Sequence, residues 1–168
     1  MKMPIRSLPP LALPAAALAG AALLTLPGAQ AVAQAKAEDC VGRQKHGMWL
    51  NVIAEGMRNS TGKLVVTVYP DNRSRFLASK GEINVGKVDA RAGETRMCVF
   101  IPEGGVYAIA AYHDEDSDGK FDRNPLPTEG YGFSNNPPTF FSLPNFNSTR
   151  VSVPRNNMTV RIKMNYRD

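Results

Sequence analysis

Residues 114–122 read Asp-Glu-Asp-Ser-Asp-Gly-Lys-Phe-Asp, a run in which carboxylates alternate along a chain that turns at a glycine. Alternate acids on a tightly turned backbone can point several oxygens inward, and a hard cation such as calcium takes about six to eight of them. In the register of an EF-hand calcium loop, Asp114, Asp116 and Asp118 fill the first, third and fifth positions. Gly119 then supplies the sharp turn, the Lys120 carbonyl donates from the seventh position, and Asp122 closes the site directly or through water. The twelfth position is Pro125 instead of a bidentate glutamate. The expected affinity therefore falls in the weak range of about 10⁻⁴ to 10⁻³ M found in extracellular modules. Glu129 stands a little further on as an additional candidate ligand. The competing reading is a solvated acidic turn whose side chains bond to their own backbone.

Other reactive residues are few. The chain holds two histidines, His46 and His113. His113 adjoins the acidic run, but no serine or cysteine is placed for it to activate, and zinc would want several nitrogen or sulfur ligands. A strand-end histidine of this kind is expected to pack or hydrogen-bond. Two cysteines, Cys40 and Cys98, lack the Cys-x-x-Cys spacing of thiol-redox enzymes. In an oxidising compartment they are expected to form a disulfide, the alternative being two free thiols.

That compartment is suggested by the N-terminus. Lys2 and Arg6 precede an uncharged run from Ala15 to Leu26, and Ala29-Gln30-Ala31 and Ala31-Val32-Ala33 both fit a cleavage site. Residues 1–33 are read as a cleavable signal peptide and 34–47 as a polar tether. Pro9, Pro10, Pro14 and Pro27 bracket the apolar run, which is shorter than the roughly 20 residues a membrane span needs. No membrane span is expected after cleavage. The expected location is periplasmic or extracellular. With Lys2 and Arg6 removed, 18 basic residues face 15 acidic ones, a net of +3. This weak, scattered charge argues against a nucleic-acid partner.

These residues must be carried by strands. Lys63–Tyr69 is rich in β-branched residues and stops at Pro70-Asp71-Asn72. Further strands are expected from Met48, over Ile83–Val88, Thr95–Ile101, Val106–His113, Thr149–Pro154 and Met158–Tyr166. In the last run Met158, Val160, Ile162 and Met164 alternate with polar residues, so one face is core and the other wet. About seven strands without a long helix predict an all-β fold, an antiparallel sandwich of two sheets over residues 48–168. A partly open barrel is the alternative. Residues 114–138 form a long loop, and a structureless connection of that length needs something to organise it. A cation could do this, as could packing of Tyr131, Phe133, Phe140 and Phe141 onto the sandwich. Trp49 is expected to be buried in its strand.

The run Ile101-Pro102-Glu103-Gly104-Gly105-Val106-Tyr107-Ala108-Ile109-Ala110-Ala111-Tyr112-His113 into Asp114–Asp122, followed by Glu129-Gly130-Tyr131-Gly132-Phe133-Ser134-Asn135-Asn136, resembles the bacterial exported proteins grouped as domain of unknown function 2141. The likeness covers roughly Trp49 to Tyr166. It implies a signal-bearing envelope protein with an immunoglobulin-like or prealbumin-like sandwich and no established activity. The family pattern usually carries Asn where Asp116 and Asp118 stand here, so this copy is more acidic. The functional expectation is a non-catalytic binding or accessory module with an unknown envelope or extracellular partner and, calcium aside, no cofactor. The alternatives are an assembly protein pairing through a sheet edge, or a metal-dependent hydrolase.

Overall fold

The computed structural model describes residues 39–42, 46–123, 126–139 and 143–167. The signal peptide read over 1–33, the start of the tether, Pro125, Phe140 and Phe141 lie outside the described residues. Runs of β-branched and aromatic residues ended by Gly, Pro, Asn or Asp become strands. In order these are β1 (Met48–Met57), β2 (Lys63–Pro70), β3 (Asn84–Asp89), β4 (Gly93–Ile101), β5 (Gly105–Asp114), β6 (Tyr131–Phe133), the helical turn α1 (Phe146–Thr149), β7 (Arg150–Val153) and β8 (Met158–Lys163). Seven strands match the expected ones and β6 is an addition inside the long loop.

The strands form two sheets, one ordered β4-β1-β8 and the other β3-β2-β5-β6, with β7 pairing the start of β5. β1 and β8 run parallel, and the other pairs are antiparallel. Leu50, Val52 and Ala54 of β1 with Val160 and Ile162 of β8 meet Leu64, Val66 and Val68 of β2 and Ile109 and Ala111 of β5 in one core. Every second residue of each strand faces this core. The predicted alternation of β8 holds: Val160, Ile162 and Met164 are buried, whereas Thr159, Arg161 and Lys163 are exposed.

The same periodicity corrects the expectation for Trp49. Its neighbour Leu50 takes the inner face, so Trp49 points outward and is half-buried against Phe100 and the Cys40–Cys98 disulfide. Its indole N–H donates to Asn157 Oδ1 at 3.2 Å. The disulfide joins the residues before β1 to β4 across 58 positions. Beside it the Val41 N–H donates to the Cys98 carbonyl at 2.9 Å, which fastens part of the polar N-terminal stretch along β4.

Two devices cover the edges of the three-stranded sheet. On β8, the Asn136 side chain takes the Lys163 N–H at 2.7 Å and donates to the Arg161 carbonyl at 3.3 Å. On β4, Val41 and the buried Asn84 amide, which donates to the Phe100 carbonyl at 3.0 Å, occupy carbonyls that an incoming strand would need.

The five-stranded sheet is covered on its outer face as well. Tyr69, Ala108 and Phe146 form a second buried cluster against Phe76 and Ala110. Leu64, Val65 and Val66 are therefore buried in succession. Aromatic rings run across this face in edge or tilted contacts, from Tyr69 through Phe76, Phe133, Tyr131 and Phe121 to Tyr112, with centroids 5.5 to 6.1 Å apart. Tyr131 and Phe133 thus anchor the long loop as their apolar character predicts.

Candidate metal centre

The site is set by strand register. β5 and β6 pair Ala111 with Gly132 and Tyr112 with Tyr131, and the His113 N–H continues the ladder to the Gly130 carbonyl at 2.8 Å. One step further along this register, Glu129 stands across from Asp114. Asp114, Asp116 and Glu129 each place a carboxylate oxygen within 4.8 Å of the others. Asp114 is 1% exposed and Glu129 6%, while Asp116 lies at the surface.

The loop folds around these acids. Gly119 adopts a φ of +81°, a left-handed conformation that costs glycine little, and its N–H reaches the Asp114 carboxylate at 3.2 Å. Asp116 accepts the Asp118 N–H at 3.0 Å and Asp118 accepts the Lys120 N–H at 2.7 Å, the local bonds that acidic turns make. Glu129 accepts the Glu115 N–H at 2.9 Å and the Asp122 N–H at 3.1 Å, so it ties both limbs of the loop together.

The predicted residues therefore divide. Asp114 and Asp116 converge, and they converge with Glu129. Asp118 is turned to the Lys120 backbone and lies 3.6 Å from its ammonium, and Asp122 joins the cluster through its N–H. Glu129 had weak sequence support because the EF-hand pattern looks for a carboxylate at Pro125. A strand pairing, not a loop spacing, supplies it.

Among the described residues none of the three carboxylates pairs with a lysine, arginine or histidine. Burial pushes the Glu129 carboxyl up, with the Asp114 and Asp122 charges adding to the rise and the two N–H bonds opposing it. Tyr112, between the cluster and the aromatic face, is pushed up to about 12, first by burial and then by Asp114, Glu129 and Asp118. The donor set is all oxygen and concentrated negative charge, which fits a hard divalent cation and not zinc.

His113 backs this site from the core side and is fully buried. Its Nε2 lies 2.7 Å from the Thr61 carbonyl, which can only accept, so Nε2 donates there. Nδ1 shares a hydrogen bond with the Tyr166 hydroxyl at 2.8 Å, and that hydroxyl accepts the Arg58 N–H at 3.1 Å. Glu115 pairs with Arg58 at 2.7 Å and lies 3.5 Å from His113 Nδ1. His113 is thus a packed, hydrogen-bonded strand-end residue.

Fold and cluster together define an all-β sandwich with an acidic loop braced across one end of its five-stranded sheet. The chain belongs to the family described as an uncharacterized protein conserved in bacteria, domain of unknown function 2141, whose pattern matches residues 52–161. No curated protein and no solved structure matches the chain.

Proposed function

We propose that this protein is an exported, non-catalytic binding module of the bacterial cell envelope whose acidic loop is organised by weakly bound calcium. The observation that carries the reading is the convergence of Asp114, Asp116 and Glu129 within 4.8 Å, two of them buried and none paired with a basic side chain among the described residues. Gathering such charges is unfavourable without a counter-ion. A cation would offset that repulsion and fix the loop between Asp114 and Glu129. The signal-like N-terminus and the Cys40–Cys98 bond support an oxidising destination. The commitment of both His113 nitrogens favours a module over a hydrolase. The covered edges of β4 and β8 weigh against assembly through the three-stranded sheet.

Thermal unfolding of the oxidised protein in chelator and in millimolar calcium tests this reading. At calcium about tenfold above the dissociation constant, linkage adds about 1.4 kcal/mol, and the midpoint rises by several degrees. The Asp116→Asn variant keeps an oxygen for the Asp118 N–H and should melt at the wild-type temperature or above in chelator, with the calcium shift largely lost. An unshifted wild-type midpoint would return the loop to a solvated acidic turn.

A further inference from the structure

We propose that a hollow on the outer face of the five-stranded sheet binds a small aromatic carboxylate. The hollow measures about 270 Å³ and opens over Thr67 and Ala110, paired residues of β2 and β5. Both are half-buried on a face where Tyr69 and Ala108, the next pair along, are buried, so the aromatic cover is open above Thr67 and Ala110. Small side chains on the floor and large ones around it create this depth. Tyr112, Phe121, Tyr131 and Phe133 stand as walls, their edges and faces suited to a flat ring.

The mouth carries two further signs of a ligand. Leu77, Leu126 and Leu143 are the exposed large apolar side chains among the described residues, and Leu77 and Leu143 both line this hollow. Leu77 is also held at a φ of 56°, a left-handed conformation uncommon for a residue with a side chain. Arg123 lines the hollow as well, is exposed, and makes no ion pair among the described residues. A ring between the aromatic walls with a carboxylate on this guanidinium satisfies both the apolar and the charged lining. The volume lies just below the roughly 300–1,000 Å³ usual for small-molecule sites, so the occupant is one or two fused rings and not a polymer.

The proposal rests on the binding-module reading but not on the cation, and the test separates the two. 1-Naphthoate is titrated into the oxidised protein by calorimetry and amide chemical-shift mapping, once in chelator and once in calcium. Neutral 1-naphthalenemethanol and glucuronate serve as comparison ligands. The expected result is saturable naphthoate binding that perturbs the amides around Thr67 and Ala110, weakens roughly tenfold or more in Arg123→Gln, and is lost in Ala110→Leu. Ala110→Leu fills the floor, and an unchanged melting temperature shows that it still folds. Equal binding of the neutral alcohol, tighter binding of glucuronate, retained binding in Ala110→Leu, or no binding in either buffer would each overturn the assignment. A calcium-dependent melting shift that persists without naphthoate binding leaves the cation standing and removes only the ligand.

Discussion

Replacing Cys40 and Cys98 together by alanine is expected to lower the unfolding free energy by about 4 kcal/mol. The bond spans 58 positions, and closing a loop of that length removes about this much entropy from the unfolded chain in the chain-entropy model. The folded state loses contacts too. Val41 lies over Gly86 of β3, where any Cβ would come within 2.8 Å of its methyl, and Val41 packs on the main core while bonding to β4. The disulfide therefore holds a plug at the seam where β3 of one sheet approaches β4 of the other. Denaturant unfolding of the oxidised, reduced and double-alanine forms measures the effect. A loss near 4 kcal/mol in both forms that lack the disulfide supports the entropic account. A loss below about 1 kcal/mol would mean that Val41 holds the seam without help. The same difference says where the fold is most secure, since a reducing compartment withdraws that contribution.

What could be seen in the sequence follows from how local each signal is. β2 and β8 were legible because β-branched runs and strict alternation are properties of neighbouring residues. β6 was not, since Tyr-Gly-Phe is too short and too glycine-rich to read as a strand alone. It is a strand because β5 pairs with it and because Tyr131 exchanges hydrogen bonds with Asn165 after β8. The site divides along the same line. Asp114 and Asp116 lie in a local motif, whereas Glu129 takes its place only through the β5–β6 register. The aromatic outer face was hidden for a related reason. Phe76, Phe146, Tyr69 and Tyr112 come from four separate segments and meet only when the loops fold back over the sheet.

His113→Leu is expected to cost about 3 kcal/mol of stability, a melting-temperature loss on the order of ten degrees. Leucine fills similar space but takes from the Thr61 carbonyl and the half-buried Tyr166 hydroxyl the fully buried ring that bonds them both. Each lost hydrogen bond contributes about 0.5–1.5 kcal/mol, and the misfit of leucine in a site shaped for the imidazole supplies the rest. The edge-on contact of the imidazole with the Tyr166 ring, at 6.0 Å and 84°, is lost as well. A double-mutant cycle with Tyr166→Phe isolates the shared bond. Removing the hydroxyl should cost more in the wild type than once His113 is gone, where only its bond from the Arg58 N–H is lost, with a coupling energy of about 1 kcal/mol or more. Because His113 and Gly130 pair through the backbone next to Asp114 and Glu129, the same variant should also lower the calcium-dependent shift. The outcome separates two roles for this residue. A packing histidine gives a large stability loss with measurable coupling to Tyr166, whereas a reactive one would be replaced with little effect on stability. The second result would reopen the hydrolase reading, and the first ties His113 to the positioning of the acidic loop.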